Sequence, residues 1–169
     1  IIDVHGEQPP YLYRKGKGHL FQMMQYVEDL EPKNTSLLFS EAALNHIQRK
    51  SSVSIVISDL LEPLDSVIHT LKIIQANRQQ VYLLQVLEED EVDPSFDGDF
   101  MLVDSETNQE VNVTVSDFTR KNYKEKMQQR MEILEGFCFE RGISYLMCHT
   151  GENVEDILFK RMTSKGWIR

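Results

Sequence analysis

The chain has 169 residues, 41% hydrophobic and 27% charged, with 27 acidic against 18 basic side chains and a formal net charge of −9. That length fits one domain with a real core, and the acidic balance without a basic patch argues against a nucleic-acid partner. No apolar run approaches the ~18 residues that a membrane span needs, and two cysteines, Cys138 and Cys148, are no disulfide framework but small core residues, as a reducing cytoplasm would leave them.

Residues 1–4 read as a short apolar strand end. Pro9 and Pro10 break pairing before Tyr11-Leu12-Tyr13, a second extended piece. Gly16 and Gly18 lead into a helix with Leu20, Phe21, Met24, Val27 and Leu30 on one face. After a loop at 31–34, Thr35 or Ser36 can cap a second helix whose Phe39, Ala43, Leu44 and Ile47 face inward. Residues 54–58, Ser-Ile-Val-Ile-Ser, are expected to form a parallel strand buried on both sides. A turn with Pro63 follows, then a helix with Leu64, Val67, Ile68, Leu71 and Ile74 at helical spacing.

Residues 81–87 are a second buried strand. An acidic loop, 88–99, separates it from a hairpin excursion formed by 100–103 and by Val111, Val113 and Val115. A long helix starts near Ser116 or Asp117, with Tyr123, Met127, Met131, Leu134 and Cys138 along its apolar stripe. It ends at Arg141-Gly142, with glycine where a left-handed C-cap belongs. Residues 143–148 form a strand, and Asn153 can cap a last helix bearing Val154, Ile157, Leu158 and Met162. The tail, 164–169, carries no signal. Strands alternating with helices make the chain α/β, with a mostly parallel sheet, helices on both faces and a β-hairpin excursion.

Ligands of open α/β sheets sit off the carboxyl ends of the strands. Ser58 and Asp59 stand there as hard oxygen donors, and His149 follows a later strand. Asp59 would otherwise cap the helix after Pro63. Asp3-x-His5 resembles the opening of a metallophosphoesterase site, since imidazole and carboxylate suit Mn, Fe or Zn. The Gly-Asp-x-x-Asp and Gly-Asn-His blocks of that family are absent, so a hydrolase using Asp3, His5, Asp59 and His149 is the alternative reading. Residues 93–104 have EF-hand-like spacing, but a proline and a terminal aspartate make an acidic turn the simpler reading. The run Glu88, Glu89, Asp90, Glu91, Asp93, Asp97 and Asp99 could steer a basic partner surface. A Ser58–His149 pairing lacks a nucleophile elbow.

The order of elements resembles a bacterial family of unknown function (domain of unknown function fifty-eight). The matching features are Gly16-Lys17-Gly18-His19-Leu20 at a helix start, Val56-Ile57-Ser58-Asp59, and Asp104-Ser105-Glu106-Thr107 in the hairpin. Tyr123 and Arg141-Gly142-Ile143 also fit. The resemblance implies a von Willebrand factor A-like fold and a link to MoxR-type AAA+ ATPases. It also implies a metal-ion-dependent adhesion site for Mg²⁺, with Thr35 and Asp59 as ligands and Ser58 nearby. The family's Asp-x-Ser-x-Ser loop does not occur in this chain.

The expectation is a single von Willebrand A-like domain over 1–169, a fragment lacking the first strand and that loop. It would be a cytoplasmic, non-enzymatic adaptor that binds Mg²⁺ weakly and meets a protein partner, an AAA+ ATPase. The partner face would be Thr35, Ser58, Asp59, Glu89, Glu91 and His149.

Overall fold

The computed structural model describes residues 11, 16, 18–30, 38–46, 53–95, 98–103 and 110–168. In chain order the elements are α1 (Gly18–Glu28), α2 (Phe39–His46), β1 (Val53–Ser58), α3 (Leu64–Ala76), β2 (Gln80–Leu87) and α4 (Glu89–Val92). They continue with β3 (Gly98–Val103), β4 (Glu110–Val115), α5 (Asp117–Arg141), β5 (Ser144–His149) and α6 (Val154–Asp156). The last runs directly into a π-helical segment, Ile157–Met162. Among the described residues no helix is long and apolar enough to cross a membrane.

β1, β2 and β5 form a parallel sheet in the order β1–β2–β5, and β3 pairs antiparallel with β4 as a separate hairpin. The α/β expectation holds, with parallel strands joined through helices. The main core lies on one face. Val56, Val81, Leu83 and Tyr145 of the strands meet Val67, Leu71 and Ile74 of α3 and Leu134 and Cys138 of α5. A smaller cluster lies on the other face, where Leu146 and Cys148 meet Ile157, with Leu84, Val86, Met162 and Trp167 around them. Trp167 stacks edge-on against Tyr82, so the tail that carried no sequence signal roofs the second face.

Local sequence chemistry sets the ends of α5. The Ser116 hydroxyl accepts from the Thr119 N–H, and the Thr119 hydroxyl accepts from the Ser116 N–H, a reciprocal capping box. At the other end Gly142 takes φ 65, the left-handed cap that glycine adopts without a Cβ clash.

Three expectations need correction. β1 is not buried on both sides: Val56 is 8% exposed, but Ile55 is 68% and Ile57 65% exposed. Among the described residues β1 is an end strand of the sheet, and the C-terminal segment roofs β2 and β5 without reaching it. α1 buries none of its residues, and Leu20, Phe21, Met24 and Val27 are exposed. The stretch after β2 is not a plain acidic loop, because its first turn is α4. β3 starts at Gly98, within residues 93–104. The hairpin turn at 104–109, residues 1–10 and residues 31–37 lie outside the described residues.

Arg78, exposed just beyond the end of α3, holds φ 60. A side chain in this region costs more than glycine does. Arg78→Gly is expected to stabilise the fold by about 0.5–1 kcal/mol. The check is a rise in urea midpoint at constant m-value; a fall would mean that the arginine side chain contributes more than its backbone costs.

Candidate functional site

The turn after β1 is built around an unfavourable backbone. Leu60 holds φ 57 while only 1% exposed. A bulky residue keeps that conformation only when its surroundings over-determine it. Here the Leu60 N–H donates to Ser58 Oγ at 3.2 Å, and the Leu61 N–H donates to Asp59 Oδ1 at 3.3 Å. Gln85 Nε2 donates to the Asp59 carbonyl at 2.8 Å. Arg130 of α5 donates through Nη2 to the carbonyls of Leu60 and Glu62. The Glu62 carboxylate in turn accepts from the N–H and hydroxyl of Ser40, tying the first turn of α2 to the same place.

The consequence is an exposed Asp59 carboxylate at the carboxyl end of the sheet, with Ser58 Oγ 3.4 Å from its Oδ1. Asp59 does not cap α3. The N-cap is Pro63, and no side chain bonds there.

The end of β2 leads straight into α4. The Glu91 carboxylate turns back to accept from the Glu88 N–H at 2.7 Å, completing a capping box. Glu91 is thus committed to its own helix rather than simply offered to a partner, while Glu89 is exposed. From α5, the Tyr123 hydroxyl donates to the Glu91 carbonyl at 2.7 Å and Lys124 pairs with Asp93 at 2.6 Å. Burial, then the Glu91 charge, raise the Tyr123 hydroxyl above its ordinary pKa. Glu89, Asp90, Asp93, Ser95 and Arg120 line an open cavity of about 500 Å³.

At the end of β5, His149 is half-buried and its Nδ1 has no hydrogen-bond partner among the described residues. Its N–H donates to Glu152 Oε1 at 2.8 Å, and Arg161 Nη1 pairs with both Glu152 oxygens at 2.7 and 2.6 Å. These two contacts, the His149 N–H first, hold the Glu152 carboxyl below its ordinary value.

The parallel sheet brings Ser58, Asp59, Glu89, Glu91 and His149 to one end. It does not bring Asp59 and His149 into contact. β2 stands between their strands, which puts them about 10 Å apart at two strand spacings. Thr35, Asp3 and His5 lie outside the described residues. Ser58 and Asp59 supply two hard oxygens, a minority of the six that Mg²⁺ takes. Among the described residues no three His, Cys, Asp or Glu side chains converge to hold a metal. The residues described do not by themselves fit the adhesion-site ion.

The thiols are poor nucleophiles. Burial, then Glu135, push Cys138 up to about 12, and burial raises Cys148. Sequence reasoning passed over Gln85, Arg130, Glu62, Arg161 and Glu152. Each acts through a partner distant in the chain or through main-chain groups, so no local pattern marks it.

A family model described as "Protein of unknown function DUF58" matches residues 7–133. No curated protein and no solved structure gives a significant match.

Gln85→Leu would leave the Asp59 carbonyl and the buried Tyr145 hydroxyl without their amide partner, and a loss of about 2–4 kcal/mol in stability is expected. Urea unfolding followed by far-ultraviolet circular dichroism checks it; a loss under about 0.5 kcal/mol would mean that the amide contributes little. Glu152 makes a pH-dependent contribution. A carboxyl held below its ordinary value of 4.5 stabilises the fold above that pH, and the contribution fades as pH falls through the lowered value. The stability gap between the parent protein and Glu152→Gln should be constant above 4.5 and narrow as pH falls below it. A gap that widens on acidification would contradict the pairing.

Proposed function

The chain belongs to the family of unknown function DUF58, and we propose that it serves there as a non-enzymatic protein-interaction module. Its partner, by the resemblance of the sequence, is a MoxR-type AAA+ ATPase, met at the carboxyl end of the sheet. The observation that carries this reading is the over-determined turn at 58–62. Arg130, Gln85 and Glu62 hold a strained backbone that presents Asp59 to solvent, and such strain concentrates where a surface has work to do. Glu89 and the acidic face of α4 stand beside it at the end of the neighbouring strand, a negative surface suited to steering a basic one.

The finer architecture, von Willebrand A-like, rests on the resemblance and on the parallel pairing of β1, β2 and β5. The exposed Ile57 weighs against it, because that architecture was expected to bury β1 on both sides. A divalent cation enters only as a bridge to the partner through Asp59, and weak Mg²⁺ binding is what two oxygens support. Hydrolysis through Asp59 and His149 finds no support in their separation.

The test is association kinetics between this chain and a MoxR-type ATPase from the same organism. Glu89→Lys should slow association several-fold and flatten its salt dependence, with stability changed by under about 0.5 kcal/mol. Charge reversal at Glu91 should in addition cost about 1 kcal/mol of stability, because that carboxylate caps α4. Asp59→Ala should speed dissociation. If a cation bridges, chelation should reproduce that effect in the parent protein and add nothing in the variant. A complex indifferent to Glu89→Lys and Asp59→Ala would place the contact elsewhere.

A further inference from the structure

Among the described residues β5 is the other end strand of the parallel sheet, and its open edge is not a bare one. Tyr145, Leu146 and Met147 are consecutive, yet all three line one cavity of about 350 Å³. Neighbouring residues of a strand point to opposite faces. Tyr145 belongs to the core under α3 and α5, Leu146 to the cluster under the C-terminal segment. A cavity that touches both sits at the edge of the strand, in the slot between the two helical layers. Its α5 wall carries the carboxylates of Glu132 and Glu135, and its opposite wall carries Arg161 and Lys165.

The main chain agrees. The Thr150 N–H donates to the Leu87 carbonyl at 3.0 Å, so the even-numbered residues of β5 turn their N–H and C=O groups toward β2. Tyr145, Met147 and His149 turn theirs outward. At that outer edge the Met147 carbonyl accepts from Arg161 Nη2 and the His149 N–H donates to Glu152. The Arg161–Glu152 pair thus stands where the peptide groups of a next strand would be. It closes only the carboxyl half of the edge. The outward groups of Tyr145 and the Met147 N–H face the cavity with no partner strand among the described residues.

We propose that this slot receives an extended polypeptide segment, which pairs with the outward main-chain groups of Tyr145 and Met147 and adds a further strand to the sheet. The walls state the chemistry of the occupant. Side chains of an added strand alternate between the α5 wall and the C-terminal wall. A segment of alternating charge therefore sets its cations against Glu132 and Glu135 and its carboxylates against Lys165. Main-chain pairing gives such a site affinity, and the walls give it register. The site lies on the flank of the sheet and does not depend on the strand-end surface.

The probe is a fluorescent octapeptide of alternating lysine and glutamate, titrated into the whole chain and read by anisotropy. It is compared with a peptide of the same composition in two blocks and with the alternating peptide N-methylated at every second residue. Saturable binding is expected for the alternating peptide, weakened about ten-fold or more by blocking the order or by N-methylation, which removes the strand's donors. Glu132→Lys with Glu135→Lys, both exposed positions, should weaken it similarly, while the folded state is retained by circular dichroism. Amide hydrogen exchange should slow at Tyr145 and Met147 on binding. Absence of saturable binding overturns the proposal. So does equal binding of the N-methylated or block peptide, which would mean charge attraction without strand addition, and so does protection that falls on β1 instead.

Discussion

A buried amide holds the carboxyl end of the sheet in place. Gln85 is 1% exposed in the middle strand. Its Nε2 donates to the Asp59 carbonyl beyond β1, and its Oε1 accepts the Tyr145 hydroxyl from β5 at 2.7 Å. One side chain thus satisfies a main-chain group on one side of its strand and a phenol on the other, inside the main core. Removing either partner strands a buried polar group, which is why such networks specify geometry more sharply than apolar packing does. With that amide in place, the left-handed Leu60 becomes tenable, Arg130 reaches its carbonyl, and the Asp59 carboxylate is turned outward.

The two faces of the sheet are unequal. One is closed by α3 and α5 over a continuous core. The other is roofed over β5 and β2 by a short C-terminal segment and left open over β1, where Ile55 and Ile57 are exposed. The two end strands differ in the same sense. β5 carries an ion pair across half of its open edge, a polar device that blunts unwanted pairing. β1 has no charged residue between Val53 and Ser58, and among the described residues no strand covers its outer edge.

What could be read from sequence was what depends on near neighbours. The limits of α5 follow from Ser116 and Gly142, and the strands 54–58 and 81–87 announce themselves as β-branched runs between breakers. The location of Ser58, Asp59 and His149 at one end follows from parallel topology, so that part of the candidate site was legible too. The exposure of Ile55 and Ile57 was not, because it depends on which strand ends the sheet and how far a remote roof extends. Arg130 could not be found either: its bonds to the turn at Leu60 and Glu62 cross some seventy residues of chain, and on its own helix it resembles any surface arginine. The cap that Glu91 makes on α4 was not legible either, because a carboxylate in an acidic run looks available until its helix is seen to need it.

The C-terminal roof has its own thermodynamic consequence. Its cluster has three buried residues, Leu146, Cys148 and Ile157, against eleven in the main core. Free energies of local opening scale with such burial, so the segment from Asn153 onward is expected to open at a lower cost than the main core. It takes Arg161 with it, and the edge of β5 then loses its ion-pair cover. The lone tryptophan leaves Tyr82 in the same event, so its emission follows this partial opening rather than the melting of the sheet.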